Sequence, residues 1–434
     1  MKVLIISNLG HAPHRIPPWA EELAQLGFEV DLYSPNMRRS QIKFHSIPKV
    51  RSWRWIRESG YRTDYAHLTS HYNLYSGKDL FLPKILSQLS RKLKSKPLQS
   101  IYQSERSSHS FRFDPQLDYI DNYSQIIESG LASDQDLDWW EPATKTLDDL
   151  CSSDQYDWVI SSSSPQICHL LARYIVDRYN IKWIADYRDL WSLNHTDKNP
   201  VNEQKLLFER SLLQRAELCL TATQGMKDKQ KKVTEGRIEV IHNAFDEIAD
   251  TKLYKPSTPP VMTYTGSVYL EHQDLYGFLE QLDRINSKKV QLVGQFVGAS
   301  CGDVKRYYQH LQSKLPSYIK LKGYKPRSKV KQIQAQSDYL LLLDWLTADT
   351  VVESTKLFEY LASGRPIYLF GNRKLTPIKG ILNNYPQSEK VFASGSDVET
   401  LRLYGPLDGK ALEQSPYSVA RQAETMAKIL SEKL

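Results

Sequence analysis

The sequence predicts an α/β chain made of two doubly wound parallel domains. Three observations carry that reading. Strand-length apolar runs alternate with amphipathic helical patterns in both halves. A proline-rich stretch separates the two alternations. The 434 residues also exceed a usual domain of about 100–200 residues.

The first run, Lys2–Ser7 (KVLIIS), has the length of a buried parallel strand, and a helical pattern over 17–26 places Trp19, Leu23 and Leu26 on one face. Gly27 stops that helix and 28–33 (FEVDLY) gives the next strand. The loop over 8–16 then lies at the carboxyl edge of the first strand, where ligands bind in such folds. Residues 36–150 are aromatic, polar and poorly periodic, and read as an insertion of loops and helices rather than another alternating unit. Alternation resumes with strand 157–162, helix 165–179, strand 182–186, helix 202–215 and strands 218–221 and 239–242. A polar stretch ending in Pro256, Pro259 and Pro260 has linker composition. Beyond it, strands at 261–265, 291–293, 319–321, 339–343 and 366–370 alternate with helices at 273–284, 303–313, 328–336 and 354–363. The expected organisation is an N-terminal domain over 1–250, a C-terminal domain over 261–417, and a helix over 418–434 that no strand follows and that is free to pack back on the first domain.

Hydrophobic, aromatic and charged residues make up 41%, 11% and 25% of the chain, which excludes a disordered or fibrous protein. No apolar run reaches about 18 residues, and the start has no small-residue cleavage site. Cys151, Cys168, Cys219 and Cys301 lie far apart without CxxC spacing, which argues against a zinc site or disulfide framework and fits the cytoplasm. The net charge of +7, from 57 basic and 50 acidic residues, is too small to imply nucleic acid; it suits an anionic ligand or a membrane surface. Residues 84–96 (KILSQLSRKLKSK) hold five basic residues and no acid, with Ile85, Leu86, Leu89 and Leu93 on one face. This segment reads either as an interfacial helix on anionic membrane or as an ordinary amphipathic helix packed on the first domain.

The most informative stretch is 354–367 (STKLFEYLASGRPI). Ser354 fits an N-cap, Leu357, Phe358 and Leu361 an apolar face, and Gly364 a C′ stop before a strand. A helix starting at a strand's carboxyl edge aims unpaired N–H groups at a bound anion, with Lys356 adding a point charge. Glu359, one turn on, has two acceptor oxygens for a ribose diol. On spacing alone Lys356 and Glu359 equally fit a surface ion pair.

STKLFEYLASGRPI resembles the helix motif of retaining GT-B glycosyltransferases of the family 4 type, especially bacterial polysaccharide members. YTGS at 264–267, LVGQF at 292–296, LKGY at 321–324, VIHNAFD at 240–246 and ADYRDLW at 185–191 match in the same order. The resemblance implies two Rossmann-like domains facing across a cleft, the first for the acceptor and the second for a nucleotide-sugar donor. It implies that Glu359 holds the nucleotide ribose, that Gly266 and Ser267 lie against the diphosphate, and that Gly323 and Tyr324 sit near the base. No cofactor is implied beyond the donor substrate.

Three departures stand out. The first carboxylate of the usual Glu-x7-Glu pair falls on Val351, with Glu353 out of register. The usual diphosphate cations fall on Ser267 and His272, so Lys356 becomes the expected replacement, with Arg327 and Arg15 as weaker candidates. The usual histidine of the first domain falls in the serine run 161–164.

Asp186, Arg188 and Asp189 follow a strand. Arg188 is read as an anion clamp and Asp189 as its orienter or a sugar-hydroxyl acceptor, the alternative being an internal salt-bridge cluster. No metal is expected: Asp134, Asp136 and Asp138 imitate a calcium loop, but Trp139 and Lys145 occupy its glycine and glutamate positions. The expected function is metal-independent, retaining transfer of a sugar from a nucleotide donor to a saccharide or lipid-linked saccharide. A sugar-nucleotide epimerase and a non-catalytic nucleotide-sugar binding protein are the alternatives.

Overall fold

The computed structural model of the chain describes residues 1–8, 15–34, 73–76, 111–131, 136–194, 201–245, 248–249, 254–345, 353–371, 377–383, 392–394 and 412–432. The calcium-like Asp134, the 84–96 segment, Val351 and most of the loop after the first strand lie outside them. The chain divides into two compact units. One comprises Met1–Thr221, Lys227–Val240 and Ile429–Leu434; the other comprises Ala222–Met226 and Ile241–Lys428.

The first half of the chain runs β1 (Lys2–Ser7), α1 (Ile16–Gln25), β2 (Glu29–Ser34), β3 (Asn73–Ser76), α2 (Tyr119–Glu128), α3 (Trp140–Ser153), β4 (Trp158–Ser163), α4 (Ile167–Tyr179), β5 (Lys182–Tyr187), α5 (Glu203–Leu213), β6 (Leu218–Thr221), α6 (Gln224–Gln230) and β7 (Ile238–Val240). These strands form a seven-stranded sheet in the order β3-β2-β1-β4-β5-β6-β7, and every pairing is parallel. One strand of this sheet was not expected from the sequence. Asn73–Ser76 lies in the expected insertion yet pairs with β2 and extends the sheet. Four residues without flanking periodicity gave no signal for it.

The second half runs β8 (Val261–Thr265), α7 (Leu275–Ile285), β9 (Val293–Val297), α8 (Ser300–His310), β10 (Ile319–Leu321), α9 (Arg327–Gln336), β11 (Tyr339–Leu343), α10 (Thr355–Ala362), β12 (Ile367–Phe370), α11 (Pro377–Asn383), β13 (Phe392–Ser394) and α12 (Val419–Ser431). Its sheet has the order β10-β9-β8-β11-β12-β13, again all parallel. Because a parallel sheet is covered on both faces, its strands tend to near-continuous apolar runs, most fully in β11 (YLLLL). In β11, Leu341 and Leu343 join the core with Phe278, Leu282 and Val304 of α7 and α8. Leu340 and Leu342 join a second core with Leu357, Phe358 and Leu361 of α10. Strand alternation thus sends successive leucines to opposite layers. Gly364 ends α10 with φ of +62°, as its sequence position required.

The last turn of α12 belongs to the first unit, where Trp158 donates its indole N–H to the Leu430 carbonyl (3.1 Å). Among the described residues no helix is long and apolar enough to cross a membrane.

The proline-rich stretch is tied to the second unit by one buried carboxylate. Asp338 accepts from the Tyr254 hydroxyl (2.8 Å) and from the N–H groups of Ser257 (3.1 Å) and Val261 (2.8 Å). The Arg365 guanidinium stacks 3.5 Å from the Tyr254 ring centre and donates to the Ser337 carbonyl (2.7 Å). Asp338→Ala strands three donors, so it should cost about 2–4 kcal/mol and lower the thermal midpoint by roughly 5–15 °C, with Asp338→Asn intermediate. A melt within about 2 °C of wild type would show that the stretch is held by other contacts.

Candidate functional site

The second sheet reverses its strand order between β8 and β11, and ligands of open parallel sheets bind outside the carboxyl ends at such a switch point. The loops leaving β8, β9 and β10 carry Gly266, Gly298 and Gly323 to that edge. They form a row. Gly266 N–H donates to the Val297 carbonyl (2.8 Å), Gly298 N–H to the Gly323 carbonyl (2.8 Å) and Ser300 N–H to the Gly266 carbonyl (3.0 Å). A Cβ at position 298 would lie 3.3 Å from the backbone N and Cα of Gly266, and both glycines have φ near +95°, at +96° and +94°. The N–H groups of Gly266 and Gly298 are therefore spent inside the row. Its glycines act by what they lack.

What fills the space over Gly266 is Lys356. A Cβ built on Gly266 would sit 2.8 Å from Lys356 Cε and 3.6 Å from Nζ. The ammonium also lies 5.6 Å from the Tyr264 ring centre, and the Tyr264 hydroxyl donates to the Ser267 carbonyl (2.7 Å), fixing the turn. Burial pulls the Lys356 pKa below the usual lysine value, and the Glu359 carboxylate opposes that shift. Lys356 is in the first turn of α10, whose N–H groups carry partial positive charge. An anion arriving here meets a partly desolvated cation over bare backbone.

Glu359 occupies the other side of Lys356, toward α9. Its Oε2 accepts from Gln334 Nε2 (3.3 Å), and the same amide donates to Thr265 Oγ1 (3.1 Å). Arg327 Nη2 is 3.9 Å from Glu359 Oε1. Burial lowers the Arg327 pKa, with Glu359 again opposing. The ion-pair partner of Glu359 is thus Arg327 rather than its helix neighbour Lys356. Gly266, Ser267, Gly323, Lys356, Glu359 and Arg327 come together at one sheet edge. Tyr324 projects into solvent, 88% exposed. His272 stacks on Trp345 at 4.6 Å between ring centres, and Glu353 is buried against His242 Nδ1 (2.8 Å).

In the first unit the cations are committed to the protein itself. Arg188 donates through Nε to the Ser163 carbonyl (3.0 Å) and through Nη2 to the Ser164 carbonyl. Burial lowers its pKa, while Asp189 and Asp186 oppose that. Arg15 grips Asp186 with Nη2 at 2.8 Å and Nε at 3.2 Å, Ser162 Oγ adds a third bond (2.7 Å), and both charged groups are buried. Arg15 is thus paired with Asp186, while these Arg188 bonds go to backbone carbonyls.

The sequence reading placed no histidine near the serine run, yet His169 on α4 meets it. Trp183 Nε1 donates to Ser161 Oγ (2.8 Å), and Ser161 Oγ lies 2.7 Å from His169 Nδ1. An indole only donates, so Ser161 Oγ accepts from Trp183 and shares a second hydrogen bond with His169 Nδ1. His169 is fully buried, and burial pushes its pKa down to about 3. It is a neutral core residue. Its place in an apolar helical run was the available signal. Among the described residues no group of three His, Cys, Asp or Glu is arranged to hold a metal ion.

No protein-family model matches the chain, nor does any curated protein sequence. Solved structures resemble it in fold. A glycosyltransferase from Rickettsia africae ESF-5 superposes with a TM-score of 0.57 at 10% identity, over 99% of this chain and 97% of that one. Anabaena Alr3699/HepE in complex with UDP and glucose gives 0.53 at 14% identity over 100% of both chains. A UDP-N-acetylglucosamine 2-epimerase gives 0.51 at 11% identity over 99% and 95%. At these identities the likeness establishes fold: two Rossmann-like domains of GT-B type.

The His169 pKa gives a signed prediction. A histidine held near pKa 3 in the folded state and near 6.5 unfolded favours unfolding as pH falls from about 6.5, by about 1.4 kcal/mol per pH unit. His169→Gln cannot charge. Its stability deficit against wild type in urea melts should shrink by about 2 kcal/mol between pH 7.5 and 5. A deficit constant with pH would mean that the ring charges in place.

Proposed function

We propose that the chain is a glycosyltransferase that moves a sugar from a nucleotide-sugar donor to a saccharide or lipid-linked saccharide, without metal and with retention. One observation carries this reading: the Lys356 ammonium lies over Gly266 at the switch point of the second sheet. A diphosphate fits there because it needs both a compensating charge and close backbone approach. Glu359 lies beside the cation with its carboxylate toward α9, where a ribose diol would donate to it. The resemblance of the 354–367 motif and the fold shared with HepE, solved with UDP and glucose, support the same assignment.

In the proposed step the bond between the anomeric carbon and the diphosphate oxygen breaks, while the acceptor oxygen bonds to that carbon on the same face. The acceptor hydroxyl proton passes to the departing diphosphate. Lys356 and the N-terminal turn of α10 stabilise the charge that develops on that leaving group. A fixed ammonium then does what a divalent cation does elsewhere. The first unit is assigned the acceptor, with Arg188 and Asp189 shaping the turn after β4 rather than moving protons. Cytoplasmic placement and membrane contact through 84–96 belong to this proposal.

An epimerase shares the fold and is separated by product: it returns an altered nucleotide-sugar, whereas transfer or donor hydrolysis releases nucleoside diphosphate. Lys356→Ala should lower the maximal rate by about 100-fold, with a smaller rise in the donor KM, because the charge is worth most in the transition state. Gly266→Ala should lower the rate in the same direction, since its Cβ would stand 2.8 Å from Lys356 Cε and push the ammonium aside. Glu359→Ala should mainly raise the donor KM, by about 10–100-fold, the scale of a hydrogen bond to a charged group. Wild-type turnover in Lys356→Ala would remove the assignment.

A further inference from the structure

The sheet edge does not end at the glycine row. Beyond Gly266, at the carboxyl end of β11, stands Trp345, with two rings from the loop after β8 lying nearly parallel to it. His272 is 4.6 Å away at 27° and Tyr269 is 5.8 Å away at 25°. The turn bearing both rings is firmly held. His272 N–H and Gln273 N–H donate to the Tyr269 carbonyl (2.8 Å each). Gln273 Oε1 accepts from Tyr269 N–H (3.1 Å), and its Nε2 donates to the Leu343 carbonyl of β11 (2.8 Å). Gln273 and Trp345 are buried, yet Tyr269 is 57% exposed. An aromatic ring on a held turn is thus offered to solvent at the same sheet edge.

We propose that Tyr269, stacked on Trp345, is the stacking platform for the sugar ring of the donor, which is a pyranose with an unsubstituted C–H face. This rests on the nucleotide-sugar reading above. Direction along the edge decides which part of the donor lies there. Glu359, Gln334 and Arg327 lie on the α9 side of Lys356, so a ribose on Glu359 extends the base toward β10 and the sugar toward β11. Three strand spacings of about 4.8 Å separate β10 from β11, roughly 14 Å, about the span of an extended nucleotide-sugar. The negative face of an aromatic ring attracts the partly positive C–H hydrogens of a pyranose, and a ring fixed in advance has little freedom left to lose on binding. In the sequence, Val351 stands where the resembled family carries a carboxylate. A stacked face supplies contact of another kind.

Calorimetric titration with UDP, GDP and ADP, and with their glucose, galactose and N-acetylglucosamine conjugates, tests this on the full chain. For the base that binds, Tyr269→Ala should weaken the conjugate about 5–10-fold and leave the free diphosphate unchanged, while Tyr269→Phe should bind both like wild type. Equal weakening of conjugate and diphosphate, or weakening of neither, would overturn the platform while leaving the nucleotide site standing. Failure of wild type to bind any diphosphate would overturn the nucleotide reading and the platform together. The exposure of Tyr269 predicts an unchanged melting temperature, which excludes unfolding as the cause.

Discussion

The missing Cβ at position 266 is the constraint on which the second unit's chemistry rests. A Cβ there would stand 2.8 Å from Lys356 Cε and force that side chain aside, on a backbone whose φ of +94° already favours glycine. The backbone of Gly266 is approached in turn because Gly298 also lacks a Cβ, which would lie 3.3 Å from the Gly266 N and Cα. Two neighbouring glycines at positive φ therefore let three loops and one helix converge at a single sheet edge. Their N–H groups are used to hold the loops together, which leaves charge to be supplied by a side chain and a helix end.

On the proposed reading, Lys356 stands in where the resembled family carries cations at the positions of Ser267 and His272. Lys356 reaches the same place from α10, and burial beside Tyr264 raises its electrostatic worth by removing water around it. His272 is freed for a different task and lies against Trp345. Glu353, which stood near the missing first carboxylate in sequence, is turned to His242 and buried. In the first unit the buried Arg15–Asp186 pair and the Arg188 fork hold the turns after β4 and β5. Removing one partner of such a pair strands a buried charge, so these residues matter to the fold before any role in binding.

Much of this was legible in the sequence because it is local. The alternation of Leu340 to Leu343 between two cores, the stop at Gly364 and the start of α10 follow from periodicity and glycine chemistry within about fifteen residues. The approach of Lys356 to Gly266 was legible only as a charge looking for a site. What stayed hidden is long-range. The addition of Asn73–Ser76 to the sheet edge depends on β2, about 40 residues earlier in the chain. The engagement of Asp338 with Tyr254, Ser257 and Val261 made a linker-like stretch part of a domain. His169 was missed because a histidine in an apolar helical face carries no mark of its partner, Ser161.

The most direct measurement is a crystal structure of the chain with a bound nucleoside diphosphate, beginning with UDP. It should show phosphate oxygens within hydrogen-bond distance of Lys356 Nζ above Gly266, with the ribose hydroxyls on Glu359. A nucleotide seated elsewhere, or one whose diphosphate leaves Lys356 untouched, would contradict the assignment of this edge as the donor site.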